Sequence, residues 1–466
     1  MSPSRDAFER AYGAPLLDED PAPPAVGTPG GPQVLGGPPI AGVTPTLPFA
    51  LRGTILTPDR MIRDGYVEIA GSTIVRVGTA RPAAGTPTVD TDGIILPGLL
   101  DLHGHPEYNI FAAWEPPKLY ANRTRWRDSD EYRLVVKEPL ARLKEDPSLE
   151  RTLTRYAEAR ALVGGTTAIQ GTNGKSATID EALVRNVDRR IFGAHRARSI
   201  IDLDRTPPAD RARLRAQIDA GLVDAVYVHL AEGVDARSHD EFGELKQANL
   251  LTAATIIIHG TALTPADLDE VAAAGAKLVW SPQSNLRLYG ATTPAGEAIR
   301  RGIPVALGAD WQPSGSASLL AELKIARQVL ADQGAPATAQ QLVRMITTDA
   351  AGVAGLGANL GLLAAGRPAD VLVLARRHPD PWESAVASLP ADVELVTIGG
   401  DLAYGRADWV SALAPAGTTE PIIGWGRRML VDTSYSVRTP ASPAPRLAEL
   451  RAELIARYPQ VGPIFA

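Results

Sequence analysis

Two histidines placed two positions apart, His103 and His105, begin a set of side chains that could hold a metal ion. His229, His259 and Asp310 complete the set, and each lies at the carboxyl end of a short apolar run that predicts a β-strand. Neutral imidazoles with one carboxylate suit Zn, Co, Mn or Fe. The chain has no cysteine, so only His, Asp and Glu are available as ligands. The alternative is a group of separate core histidines, each bonded to a carbonyl.

Glu232 follows His229 by three positions. A carboxylate just past a strand that carries a ligand could move protons for a metal-activated water, so Glu232 is a candidate catalytic residue. The alternative is a solvated loop residue. His195 lies beside a predicted strand and is a weaker candidate, whereas His239 is predicted to lie in a charged loop.

The stretch after the first of these strands is rich in aromatic residues. Tyr108, Asn109 and Trp114 lie there and are predicted to bind substrate, since aromatic side chains form flat apolar pocket walls. The alternative is that they pack the loop against the protein. Asn285 is predicted to bond the substrate or to hold Asp310. Further candidates for anion or carbonyl contacts are Arg123, Arg125, Arg196 and Arg198.

Residues 95–357 alternate apolar runs with helical stretches, which predicts repeated βα units and favours a parallel barrel. The predicted strands are 98–103, 166–170, 198–202, 225–229, 255–259, 277–280 and 304–308. The predicted helices are 131–164, 207–222, 264–274, 292–301 and 316–333. In a barrel the carboxyl ends of the strands meet at one mouth, which would bring the polar set together. An open doubly wound sheet is the alternative, although no Gly-x-Gly-x-x-Gly follows the first strand.

Short strands are predicted on both sides of this region, in 49–94 and 358–430, and they suggest one small β-sandwich domain built from both chain ends. Residues 1–48 are dense in Pro and Gly and are predicted to form an extended arm, either a tail or a segment that wraps a neighbouring subunit. Residues 431–466 are predicted to be a C-terminal extension.

Composition restricts the class of function. The 466 residues are 45% hydrophobic and carry a net charge of only −6, without the basic stripe that nucleic-acid binding requires. We find no apolar run near the roughly 18 residues of a membrane span and no signal pattern, so a cytoplasmic protein is expected. The N-terminal arm and Trp382, Trp409 and Trp425 suggest a homo-oligomer, a dimer or tetramer; the alternative is that these tryptophans pack inside the β-domain.

Several segments, in order over about residues 50–405, resemble the amidohydrolase superfamily, in the branch with triazine hydrolases and cytosine- or adenosine-type deaminases. They are Leu96-Pro-Gly-Leu-Leu-Asp-Leu-His-Gly-His105, His229-Leu-Ala-Glu232, Ile258-His259, Ser281-Pro-Gln-Ser-Asn285, Leu307-Gly-Ala-Asp310 and the segment from Gly361 to Leu374. The resemblance implies an α/β protein, a (β/α)8 TIM-type barrel with a β-sandwich from both termini.

The resemblance also implies roles. One divalent metal, zinc first and Co, Mn or Fe as alternatives, would be held by His103, His105, His229 and Asp310. The implied catalytic residues are Glu232, which would move protons, and His259 and Asp310, which would orient the attacking hydroxide; His259 is also a candidate ligand. Binuclear members use a carboxylated lysine at the end of a middle strand, but Lys175 is predicted to lie in a loop, which favours one metal.

A narrower similarity to phenylurea hydrolases and molinate hydrolase rests on residues 103–109 and 113–118. It implies a hydrolase that cleaves an amide, urea or carbamate C–N bond, or a thiocarbamate C–S bond, in a small neutral molecule. Hydrolytic deamination of an aromatic heterocycle is the alternative. A catalytically silent barrel scaffold is a third idea, which the complete set of ligand positions disfavours.

Overall fold

A computed structural model describes residues 48–171, 183–188, 197–413, 419–433 and 446–461. The predicted N-terminal arm, except for its last residue, lies outside the described residues, as do Lys175, His195 and Arg196. Residues 431–433 and 446–461 of the predicted C-terminal extension are described. Within the described part of the chain, no helix is long and apolar enough to cross a lipid bilayer.

The centre of the protein consists of eight short parallel strands. Their bounds are β5 (Leu99–Asp101), β6 (Thr166–Ile169), β7 (Arg185–Asn186), β8 (Ala197–Ile200), β9 (Ala225–Leu230), β10 (Thr255–His259), β11 (Lys277–Trp280) and β12 (Val305–Leu307). Strands β9 and β10 are buried along their whole length, as expected for apolar strands covered on both faces. The predicted strands are all present; β7 was not predicted, because its two polar residues form no apolar run.

These strands form a sheet of order β12-β11-β10-β9-β8 and a sheet of order β5-β6-β7. At one junction, Gly104 forms a parallel bridge with Asp310, and the Asp310 amide donates to the His103 carbonyl at 2.7 Å. Near the other junction, between β7 and β8, the side chain of Gln170, which follows β6, donates to the Ser199 hydroxyl of β8 at 3.0 Å. The arrangement is consistent with a TIM-type barrel, and it gathers the strand ends that carry the candidate ligands.

Helices lie between the strands and after the last strand. Their bounds are α1 (Arg123–Arg127), α2 (Asp130–Tyr132), α3 (Glu138–Lys144), α4 (Pro147–Val163), α5 (Pro208–Asp219), α6 (Ala236–Gln247), α7 (Pro265–Ala273), α8 (Pro282–Tyr289), α9 (Ala295–Arg300), α10 (Leu319–Asp332), α11 (Ala339–Arg344), α12 (Thr348–Val353), α13 (Pro381–Ala387), α14 (Ala407–Leu413) and α15 (Leu447–Arg457). The predicted helix 131–164 is interrupted by a π-helical turn and by Pro147, which lacks an amide donor. The prediction that His239 lies in a loop is wrong: Asp235 caps α6 by accepting from the Ser238 amide at 3.0 Å, and His239 lies in its first turn.

Both chain ends contribute to one nine-stranded sheet of order β16-β17-β15-β14-β13-β4-β1-β2-β3. Its strands are β1 (Phe49–Leu56), β2 (Met61–Ala70), β3 (Thr73–Gly78), β4 (Thr88–Pro97), β13 (Val371–Leu374), β14 (Val393–Ile398), β15 (Asp401–Arg406), β16 (Glu420–Gly424) and β17 (Arg427–Val431). The two ends meet where β4 pairs antiparallel with β13. The domain boundaries and the sandwich form of this region stay predictions.

A buried ion pair helps to connect this sheet to the parallel strands. Buried Arg185 of β7 forms a two-pronged ion pair with Asp370, at 2.7 and 2.8 Å. Trp409 is buried, and Trp382 and Trp425 pack against the core. All three tryptophans therefore contribute to packing, while Trp382 and Trp425 remain partly exposed and the homo-oligomer stays a prediction.

Candidate metal centre and active site

The predicted metal-binding residues lie together at the carboxyl ends of the parallel strands. The Nε2 atoms of His103 and His229 are 3.1 Å apart. One carboxylate oxygen of Asp310 lies 3.4 Å from His103 Nε2 and 3.7 Å from His105 Nε2. The ring centroids of His229 and His259 are 5.4 Å apart. The alternative of separate core histidines therefore does not describe this site.

Burial keeps the imidazoles neutral. His103 is fully inaccessible, and burial lowers the pKa of His103 and of His229 well below the ordinary value. Burial likewise lowers the pKa of His105 to about 4. Neutral imidazoles keep a free lone pair, which is the form that binds a metal.

The donor set fits a divalent metal. His103 Nδ1 lies 2.8 Å from the Ser281 hydroxyl, which can accept its proton and leave the Nε2 lone pair free. Two imidazole nitrogens on one tetrahedral zinc are about 3.3 Å apart, given Zn–N bonds of about 2.05 Å. The 3.1 Å between His103 and His229 is close to that value.

Two residues of the site have a backbone conformation in the left-handed region. His259 has φ 68° and Asp310 has φ 60°. Conformations of this kind are strained by about 1–3 kcal/mol in residues other than glycine, and such strain is concentrated at functional sites. Contacts hold both turns: the Thr293 hydroxyl donates to the His259 carbonyl, and the Asp310 amide donates to the His103 carbonyl.

Glu232 is a buried residue of the site and not a solvated loop residue. Its side chain is 5% exposed, and its Oε2 lies 3.5 Å from His259 Nε2. Its other oxygen, Oε1, accepts from the Tyr289 hydroxyl at 2.5 Å. Tyr289 in turn accepts from Trp126 Nε1 at 2.8 Å. Tyr289 was not predicted from the sequence, although it lies four positions after Asn285 and so on the same face of α8.

Arg123 places a buried positive charge behind the site. It lies 3.1 Å from Glu241, 3.3 Å from Asp202 and 3.8 Å from Glu232, and it donates to the His229 carbonyl at 3.2 Å. Three carboxylates share this guanidinium, so Arg123 balances charge and anchors the strand end of His229. It is not positioned as a free anion receptor.

The cavity above the site is small, about 60 Å³, and largely aromatic. Trp126 and Trp311 stack at 5.2 Å, with Tyr108 and Tyr132 beside them, while His105, Glu232 and Asp310 contribute polar groups. Flat apolar walls around a few polar groups are typical of sites that bind small planar molecules.

The other predicted substrate-binding residues lie elsewhere. The Asn109 side chain accepts from the backbone amide of Gln312 at 2.7 Å, and buried Trp114 packs near Tyr120. Both therefore hold the loop in this structure and do not line the cavity. Asn285 is fully buried and contacts His259, at 2.9 Å, instead of holding Asp310.

Residues 224–403, which carry His229, Glu232, His259 and Asp310, match the amidohydrolase family. This part of the chain is an amidohydrolase family domain. The match confirms the family that was predicted from the sequence. It also supports the predicted enzyme class, a metal-dependent hydrolase of C–N bonds.

Known proteins resemble the chain over most of its length. A 5-methylthioadenosine/S-adenosylhomocysteine deaminase from Desulforamulus reducens is 24% identical over 401 residues, which are 75% of this chain and 92% of that protein. A zinc-bound adenosine deaminase from Xanthomonas campestris superposes with a TM-score of 0.64 at 17% identity, over 89% of this chain and 98% of its own. A mutant atrazine chlorohydrolase from Arthrobacter aurescens TC1, complexed with zinc and atraton, gives 0.65 at 19% identity, over 88% and 99%.

These structural likenesses show a shared fold. The proteins compared are deaminases and a triazine-type hydrolase, so they give no support to the narrower similarity to phenylurea and molinate hydrolases. The His-rich group and the zinc in structural neighbours support a metal at this site, without fixing which metal.

Proposed function

We propose that this hydrolase removes an amino group from a small, planar, conjugated substrate and replaces it with oxygen from water. The observation that carries the proposal is the position of Glu232 and His259, which are 3.5 Å apart and line the aromatic cavity together with His105, His229 and Asp310. The relatives named as deaminases support this choice of reaction.

In this proposal one divalent metal, with zinc as first choice, is held by His103, His105, His229 and Asp310. When bound, the metal supplies a water acidified toward a pKa of about 7 and a positive charge that offsets developing negative charge. The remaining chemistry belongs to side chains of this chain. Water supplies a hydroxyl group to the reacting carbon and one proton to the departing amino group, whose bond to the carbon breaks and which leaves as ammonia.

Glu232 carries the proton. The Tyr289 hydroxyl occupies Oε1, so Oε2, the oxygen nearer His259, takes up a proton from the attacking water and returns it to the leaving nitrogen. Because Glu232 is buried, water from bulk solvent does not compete for that proton. The stacked Trp126 and Trp311 would orient the ring of the substrate.

Cleavage of a urea or carbamate C–N bond, or of a thiocarbamate C–S bond, is the second candidate. The lining of the cavity supports it, because Tyr108, from the segment that resembles phenylurea and molinate hydrolases, forms part of the wall. The same Glu232 would then protonate a departing amine or thiol.

A substrate panel with product masses tests the proposal. Aminated heterocycles, phenylureas, carbamates and thiocarbamates would be incubated with enzyme loaded with Zn, Co or Mn. We expect ammonia and a ring product one mass unit heavier than the amine. Release of an aniline, amine or thiol without ammonia would favour the second candidate.

The variant Glu232→Gln tests the proton carrier. It should bind metal as the wild type does and lose about 10²–10⁴-fold in turnover, the usual contribution of a general acid–base group. Glu270→Gln makes the same change at an exposed position and serves as the control. Wild-type turnover by Glu232→Gln would refute the assignment.

A further inference from the structure

The two nitrogens of His259 have different surroundings, and the difference determines where its proton lies. The side-chain amide nitrogen of Asn285 is 2.9 Å from His259 Nδ1. An amide nitrogen only donates, so Nδ1 must be the accepting nitrogen. In neutral His259 the single ring proton then resides on Nε2, which faces Glu232.

This conclusion depends on which way the Asn285 amide points, and a chain of hydrogen bonds favours the orientation in which its nitrogen faces His259. The indole Nε1–H of Trp280, which only donates, donates to the Thr292 hydroxyl at 2.7 Å. The Thr292 proton is then free to be donated to Asn285 Oδ1, at 3.2 Å. With Oδ1 occupied as an acceptor, the Asn285 amide nitrogen faces His259. Trp280 and Asn285 are both fully inaccessible, so water offers these two side chains no competing partner.

We propose that Asn285, oriented by Thr292 and Trp280, holds His259 in the Nε2–H tautomer. His259 is thereby a hydrogen-bond donor to the reacting atoms and not a fourth imidazole ligand. The donor role, unlike the tautomer itself, rests on the proposed hydrolase function. Asn285 acts through His259 and is a positioning residue.

His103 provides a contrast within the same site. Its Nδ1 faces the Ser281 hydroxyl, which can accept a proton, so its Nε2 lone pair remains available for a metal. The two imidazoles therefore differ in the neighbour of Nδ1. A hydroxyl lies beside Nδ1 of His103, the predicted metal ligand, whereas an amide donor lies beside Nδ1 of His259, the proposed hydrogen-bond donor.

The tautomer can be measured directly by ¹⁵N NMR of metal-free protein with labelled histidine, because protonated and unprotonated ring nitrogens differ in chemical shift. The chain has only seven histidines, and the His259 signal is identified by its loss in His259→Gln. We expect Nε2–H in the wild type. Asn285→Asp, at pH 8, replaces the donor with an acceptor and should move the proton to Nδ1. Asn285→Leu removes the donor and should give a mixture of tautomers.

Two further variants complete the set. Thr292→Val should also give a mixture, since it leaves the Asn285 amide free to rotate. Asn249→Asp makes the same amide-to-acid change at an exposed position and should leave the His259 signal unchanged. A wild-type signal showing Nδ1–H would overturn the proposal, and so would a His259 tautomer that is unaffected in both Asn285 variants.

Kinetics test the donor role separately. Asn285→Asp and Asn285→Leu should keep the wild-type metal content and lose about 10²–10³-fold in kcat, the usual cost of removing one donor from a developing charge. A changed tautomer with unchanged kcat would overturn the donor role. The NMR signal requires neither metal nor substrate. The tautomer result therefore stands even if the proposed function is wrong, and the two failures can be told apart.

Discussion

Replacing Arg123 with methionine should destabilise the protein in a pH-dependent manner. The variant keeps a long apolar side chain but removes the charge that Asp202, Glu232 and Glu241 share. Removing one partner of a buried ion pair generally lowers the free energy of unfolding by about 3–5 kcal/mol. Asp202 retains Arg127, at 3.0 Å, and Glu241 becomes neutral by taking up a proton, so neither carboxylate is left as an isolated buried charge. We therefore expect the lower end of that range, about 3 kcal/mol, at pH 7.

The pH dependence follows from Glu241. Burial raises its pKa to about 7 although Arg123 lowers it, so its folded pKa lies above the ordinary 4.5. A carboxyl group shifted in this direction stabilises the fold below pH 4.5 and loses that contribution as the pH rises through 7. Without Arg123 the folded pKa rises further. The penalty should then grow by about 1.4 kcal/mol for each pH unit above 7, until the new pKa is reached.

Urea unfolding followed by tryptophan fluorescence at pH 7.0 and 8.0 measures this effect, from the midpoint and slope of the first transition. Arg125→Met, an exposed change two positions away, is the control and should shift the unfolding free energy by less than about 0.5 kcal/mol. The reasoning fails if Arg123→Met is as stable as this control, or if its penalty shrinks between pH 7.0 and 8.0.

Three further changes give distinct results. Tyr289→Phe removes a hydrogen bond to the Glu232 carboxylate and should lower kcat about 10- to 100-fold at unchanged metal content, as steady-state kinetics would show. Burial raises the pKa of Glu158 to about 8, so Glu158→Gln should gain stability relative to wild type between pH 5 and pH 8.5 in urea unfolding; an equal difference at both pH values contradicts this. His103→Ala should lose bound metal in elemental analysis, whereas His239→Ala, at an exposed position, should retain it.

The sequence was sufficient to locate the candidate metal site because each candidate ligand ends an apolar run. Parallel strands buried on both faces are continuous apolar segments, so their carboxyl ends are visible in the sequence, and barrel geometry brings those ends together. His229 and His259 were found in this way. The exact metal, the ligand number and the substrate stay predictions.

Other parts of the site could not be found in this way. Tyr289 donates to Glu232, which is far away along the chain, and Thr292, in the loop after α8, donates to Asn285. Such hydrogen bonds leave no periodic pattern in the sequence. The alternatives weighed for Asn285 were the substrate and Asp310, whereas the structure places it on His259. Strand β7, only Arg185–Asn186, is too short and too polar to give a strand signal.

The pairing of β4 with β13 also affects how the chain folds during synthesis. Ile95 lies opposite Val373, so almost the whole barrel is translated between the two partners. Until β13 is made, the edge of β4 has no strand to cover it, and closing so long a loop is slow. An exposed strand edge is a template for association with other chains. We expect truncation before residue 371 to yield a protein that aggregates instead of a smaller active barrel.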